Sequence, residues 1–279
     1  MRAWQGTAVV PLVTVLLAGC GGGAADRAAA GPSSSASSKT SASPKTSASP
    51  TAPSPEVVRP TGPATAPGRD AVAAPRQVFT AEQLKKALLP DAAFGTGLER
   101  GETQAGPYES THDQRSGRWS YCLDAAGEKD PAWLGPAAYR GAMALARTQW
   151  VDRATRPPEG HLVATQMIVS LPVAEARDHQ RVEQDILRHC REFASDMEAG
   201  SATERYGTVP LKGLGDEAFL EVQDVMYEGG TTTRYRAHVR VGGVLVLLLG
   251  EEGAGRDETV RWAAHLAREV GGTLYGAGA

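Results

Sequence analysis

Three cysteines hold the reactive sulfur of this 279-residue chain: Cys20, Cys122 and Cys190. A cysteine can carry a lipid, close a disulfide, ligate a metal or attack a substrate, and its surroundings decide which. No C-x-x-C pair occurs, which argues against a catalytic disulfide. The histidines His112, His161, His179, His189, His238 and His265 are dispersed, and none has a zinc-pattern partner at i, i+4. No metal ligand and no cofactor is therefore assigned. The chain has no G-x-S-x-G elbow, no H-E-x-x-H, no P-loop and no G-x-G-x-x-G. The serines Ser110, Ser116, Ser120, Ser170, Ser195 and Ser201 carry no local signature. No residue is assigned a catalytic role, and the chain is not expected to be an enzyme. His112-Asp113 is the nearest thing to a useful titrating pair, and it reads better as part of a solvated loop.

Cys20 has the most telling surroundings. It closes Leu17-Ala18-Gly19-Cys20, after Arg2 and an apolar run from Ala8 to Ala18. A basic start, a short apolar core and small residues at the cut make a secretory signal. The run of about 11 residues is too short to span the ~30 Å of hydrocarbon in a bilayer. With the cysteine next, the segment resembles the lipobox of bacterial lipoproteins. That resemblance implies cleavage of signal peptide 1–19, a diacylglycerol thioether on Cys20 and palmitate-type acylation of the new amine. The alternative is an ordinary cleaved signal followed by a chance cysteine.

Residues 20–75 follow a different composition. They are Ala, Ser, Thr, Pro and Gly with scattered charges, and Lys-Thr-Ser-Ala-Ser-Pro occurs twice in tandem from Lys39. Such a segment cannot bury enough apolar surface to offset its ordering entropy. It is expected to be a disordered tether, with an r.m.s. reach of about 40 Å. Residues 76–279 remain as one globular domain, a size that suits a single core. Its 23 Lys and Arg against 29 Asp and Glu give a formal charge of −6. That excess of acid disfavours nucleic acid as a partner and leaves the acyl chains to hold the membrane. Cys122 and Cys190 are then an even pair in an exported domain, expected to form a disulfide. The loop would hold about 69 residues, worth roughly 4 kcal/mol on a chain-entropy estimate. Two buried free thiols are the alternative.

The elements that must place these residues follow from periodicity. Thr80 and Gln83 make a capping box ahead of a helix whose Leu84, Ala87 and Leu88 share a face, with Phe79 and Leu84 as a hydrophobic staple. A Gly-rich irregular stretch comes next, then short extended pieces at 108–111 and 118–123. Segments 142–151 and 161–171, separated by Pro157-Pro158-Glu159-Gly160, read as a β-hairpin. Segment 173–197 is the clearest helix, with Ala176, His179, Val182, Ile186, Cys190 and Phe193 in an apolar stripe. Strands are expected at 218–226, 231–241 and 244–250, the last central because 244–249 is apolar throughout. A helix at 257–270 ends the domain, with Gly271 placed at C′. The order predicts the α+β class: an antiparallel sheet packed against helices.

Two polar patterns remain. Asp216-Glu217 follows Gly213-Leu214-Gly215 and reads as a turn in which Asp216 bonds its own backbone, rather than as a carboxylate pair at a site. Arg234, Arg236 and Arg240 leave one face of a strand and read as a solvated outer face rather than an anion strip. Of the aromatics, Trp119, Tyr121, Trp133 and Trp150 offer oriented apolar surface to a core or to a cleft. These four are the candidate ligand-binding residues.

Taken in order, the lipobox and tether, the opening helix with Leu88-Leu89-Pro90, Cys122 ahead of a hairpin with Trp150, the helix running to Cys190, Gly213-Leu214-Gly215-Asp216-Glu217-Ala218 and the strand Val239-Arg240-Val241-Gly242 make a pattern. Over residues 78–275 it resembles the PknH-like extracellular sensor domains, which occur on actinobacterial receptor kinases and on stand-alone lipoproteins. The resemblance implies a two-layer α/β sandwich with a ligand-binding cleft. The type member carries two disulfides, where this domain has cysteines for one. The expected protein is a surface lipoprotein, lipid-anchored on the extracytoplasmic face of the cell membrane. Its domain would bind a small molecule or an envelope protein as a sensor does. The alternatives are a cell-envelope hydrolase, or a structural or chaperone-like lipoprotein that binds another envelope protein.

Overall fold

The computed structural model describes residues 62–111, 122, 138–153, 158–197, 200–251 and 253–276. The chain divides after Thr51, and every described residue belongs to the second part. Cys20, and the aromatics Trp119, Tyr121 and Trp133, lie outside the described residues.

The described residues form ten strands, β1 Ala66–Pro67, β2 Glu99–Thr111, β3 Ala138–Asp152, β4 Glu159–Ser170, β5 Glu192–Met197, β6 Gly200–Pro210, β7 Leu214–Gly215, β8 Glu217–Tyr227, β9 Gly230–Val241 and β10 Val244–Gly250. The helices are α1 Ala81–Lys86, α2 Val173–His189 and α3 Arg256–Tyr275. Eight strands make one sheet in the order β2-β3-β4-β10-β9-β8-β6-β5, with every neighbouring pair antiparallel. The sheet dominates, in keeping with the expected antiparallel arrangement, and the expected hairpin is β3–β4. The all-apolar run is central as expected, since β10 lies between β4 and β9.

Alternation along β10 divides the two faces of the sheet. Val244, Val246 and Leu248 point into the main core with Trp262, Ala263, Leu266, Ala267 and Val270 of α3 and Leu84 of α1. Burial of Leu266 and Val270 contributes roughly 1.5–3 kcal/mol apiece. Leu245 points the other way and packs with Val169 and with Ala176 of α2. Helices therefore cover both faces, and the two-layer expectation is corrected. A central strand that is apolar on both sides needs cover on both.

Local signals explain the helix ends. Thr80 accepts from the Gln83 amide while Gln83 accepts from the Thr80 amide, the expected capping box. Helix α2 stops at His189, because Cys190 turns extended (φ −126°, ψ 90°). Phe193, assigned to the helical stripe, sits instead in β5. Ala176, His179, Val182 and Ile186 are buried as the stripe requires. Helix α3 runs through Gly271 to Tyr275, and the positive-φ residue that ends it is Gly276 (φ 86°). Apart from the two-residue β1 and β7, two strands stand where none was expected, β5 and β6, and β2 replaces the irregular stretch.

The domain also begins earlier than residue 76. Ala66 is buried, and β1 pairs in parallel with β7, Ala66 opposite Leu214. Arg268 Nη1 donates to the carbonyls of Pro63 and Thr65 at 2.7 and 2.5 Å. The Asp216 carboxylate, expected to bond its own turn, accepts instead from the amides of Arg69 (2.9 Å), Asp70 (3.0 Å) and Gly242 (2.6 Å). Residues 62–75 thus form a strap bound to the sheet, which their tether-like composition conceals.

Candidate functional site: the cleft beneath helix α2

Helix α2 crosses the sheet face that carries Phe219 and Glu221 of β8 and Arg236, His238 and Arg240 of β9. These residues share a face because Phe219 opposes His238 and Glu221 opposes Arg236 across the β8–β9 ladder. A cavity of about 140 Å³ lies between the helix and the sheet. Met167, Val169, Leu245 and Leu247 give it an apolar floor, and Tyr108, His179, Gln180, Glu183, Arg236 and His238 supply polar groups. His179, Gln180 and Glu183 reach it from one turn of α2 because residues i, i+1 and i+4 lie on one side of a helix.

The charges in the cleft are held in pairs. Glu221 is 1% exposed, and burying a carboxylate costs several kcal/mol unless it is paired. Its partners are His238 Nε2 at 2.8 Å and Arg236 Nη1 at 3.3 Å. The His238 ring stacks on Phe219, with centroids 4.3 Å apart. On the helix side, Tyr108 Oη lies 2.7 Å from His179 Nε2, and Tyr139 donates to Asp178. Glu251, at the end of β10, is held above the usual carboxylate range by burial, against the pull of Arg234, Arg236 and Arg147.

Both ends of α2 are fastened. At its C-terminal end a disulfide joins Cys122 to Cys190, with Cα atoms 5.5 Å apart. Cys122 also bridges Phe193 by backbone pairing, and the two cysteines pack with Val182, Ile186 and Phe193. At its N-terminal end Val173 N donates to Pro75 O, and Arg177 pairs with Asp70 at 3.1 Å. Arg240, 3% exposed, donates to both oxygens of Asp70. Hydrogen bonding from Arg240 holds the Asp70 carboxyl below the usual range. Arg240 is thus a buried latch on the strap, which corrects the reading of Arg234, Arg236 and Arg240 as a solvated row.

Of the four aromatics proposed for the cleft, Trp150 is the one described. It stacks on His161 at 5.1 Å near the β3–β4 turn and is not among the cavity-lining residues. Sequence reasoning missed His238, Glu221, Gln180 and Tyr108. The available signal was the alternation 234, 236, 238 and 240, which needed only a partner strand in register to bring Glu221 beside His238. Among the described residues no group of His, Cys, Asp or Glu is arranged to hold a metal ion. No described helix is long and apolar enough to cross a membrane. Among the described residues, those that line the cavity include no serine, threonine or cysteine. The arrangement can enclose a small ligand and present paired polar groups to it. His238 with Glu221 has the form of a base and its orienter, and the hydroxyl that lines the cavity, that of Tyr108, is engaged with His179.

No protein-family model matches the chain, and no curated protein does. Among solved structures it is similar to the extracellular domain of PknH from Mycobacterium tuberculosis. The alignment has 13% identity and a TM-score of 0.47, and covers 70% of this chain and 98% of that one. A likeness this slight assigns neither fold family nor function.

Proposed function

We propose that this chain is a membrane-anchored extracytoplasmic lipoprotein whose folded domain binds a small molecule beneath α2, as a sensor domain would. The observation that carries the proposal is the cavity itself: about 140 Å³, floored by Leu245, Leu247, Met167 and Val169, with polar groups converging from α2 and β9. Apolar enclosure with a few placed polar groups is the usual form of a small-molecule site. Leu17-Ala18-Gly19-Cys20 supports the anchor, and the disulfide fits an oxidising compartment. The sensor reading draws on the joints of α2. The helix that roofs the cavity holds the strap through Arg177–Asp70 and Val173–Pro75, and the strap leads back toward the tether. A ligand that shifts α2 therefore acts on the segment nearest the membrane.

A thermal-shift screen of the detergent-solubilised full chain against small envelope-derived compounds tests this. Binding to the native state alone raises the apparent melting temperature in a saturable way. A saturable rise that is lost when Leu247→Trp fills the cavity is the expected result. Turnover of a glycan, peptide or ester, lost in His238→Ala or Glu221→Gln, would overturn the proposal in favour of an envelope hydrolase.

A further inference from the structure

Gln180 stands on the cavity wall and is 2% exposed. Its Nε2 donates to Glu217 O at 3.2 Å. Its Oε1 is buried and accepts no hydrogen bond. The amide cannot simply turn over, because Oε1 would then face the Glu217 carbonyl, acceptor against acceptor. Buried amide oxygens in folded proteins almost always have a partner, so an open one marks a place where something is missing. The neighbouring polar groups are already engaged: Tyr108 with His179, and Glu221 with His238 and Arg236. The unmet demand of the wall is for one donor.

The rest of the cavity fixes what carries that donor. Its volume of about 140 Å³ is close to that of engineered apolar cavities of about 150 Å³ that hold one benzene-sized ring. Leu245, Leu247, Met167 and Val169 would surround such a ring with hydrocarbon and sulfur. A carboxylated ring is disfavoured, because it brings no donor to Oε1 and meets Glu183 on the wall. We infer that the cavity takes a neutral, single-ring molecule with one hydroxyl, whose O–H donates to Gln180 Oε1. This rests on the binding reading above and narrows it to a ligand class.

Phenol and toluene, which are isosteric, and benzoate, which adds a carboxylate, are probes that separate the possibilities. Their dissociation constants are measured on the full chain by ligand-observed NMR titration, for the wild type and for Gln180→Met. The wild type should bind phenol about tenfold more tightly than toluene, the ratio expected from one hydrogen bond. Benzoate should be the weakest of the three. Gln180→Met should abolish the preference for phenol over toluene. Equal affinity for phenol and toluene in the wild type would overturn the donor assignment and leave the binding reading standing. It would mean that the cavity is merely apolar or that water satisfies Oε1. Failure of both probes to bind would overturn this inference together with the binding reading. If Gln180→Met fails to fold, the phenol-to-toluene ratio of the wild type still decides the point.

Discussion

Replacing Asp216 with Ala removes one carboxylate and disconnects three parts of the fold. The carboxylate accepts from Arg69 N, Asp70 N and Gly242 N at 2.9, 3.0 and 2.6 Å. Hydrogen bonds to a charged group contribute roughly 1.5–3 kcal/mol each, so an upper bound is about 4–9 kcal/mol. Two of the three amides belong to the strap and regain water when it lifts. The Gly242 amide lies in a buried turn and does not. The loss is therefore nearer about 3–4 kcal/mol, since only one donor is left stranded. For a domain of this size that lowers Tm by roughly 10 °C. Urea titration gives the free energy, and amide hydrogen exchange gives its location. Ala66, Val72 and Ala73, whose amides bond within the strap or to Gly213, should lose protection before the sheet does. A variant within about 0.5 kcal/mol of wild type, a change too small to matter at such a site, with Ala66 still protected, would refute the argument.

Cys190→Ala opens the loop between Cys122 and Cys190, 68 residues apart in sequence. It should cost about 4 kcal/mol in a urea melt, and two alkylatable thiols in the native exported protein would contradict the bond. Burial raises the Tyr275 hydroxyl from 10.0 to about 12. Its stabilising contribution is therefore complete below pH 10 and is lost as pH rises toward 12, by at most roughly 2–3 kcal/mol. Tyr275→Phe should flatten that alkaline limb. It should also cost about 1–3 kcal/mol at neutral pH, because Gly243 N and Val241 O lose their partner; an unchanged pH–stability curve would count against the assignment. Cys20→Ser should release the protein or leave an unprocessed precursor in detergent partitioning, and a mature, membrane-bound variant would refute lipidation.

Several elements were legible because local chemistry and fold agree. Thr80 with Gln83 specifies a helix start wherever the chain goes, and Gly242-Gly243 returns β9 into β10 because Gly242 takes φ 58°. A side chain at Gly242 would also meet Tyr275 Oη at 2.6 Å. What was missed depends on distant partners. Residues 62–75 have the composition of a tether and are ordered by Asp216, Arg240 and Arg268, 140 or more positions away. Thr203, Glu204 and Arg205 of β6 lack the apolar alternation of a half-buried strand, and Ala202 is the one described residue of that strand classed as core. Gly271 read as a helix end, yet it stays inside α3 where a Cβ would lie 3.2 Å from Arg69 Nε. The cleft was hidden for a related reason. Residues 234–240 advertise charge, and only the strap paired with Arg240 and the crossing of α2 over His238 bury them and leave a cavity at His238.

The claim that a small ligand binds beneath α2 is tested most directly by methyl NMR of the full chain during titration with a ring-sized alcohol. Saturable shifts at Met167, Val169, Leu245 and Leu247, with Leu266 and Val270 of the opposite core unmoved, are the predicted result. Shifts that stay flat at the four cavity residues, or that appear only on the α3 face, would contradict it.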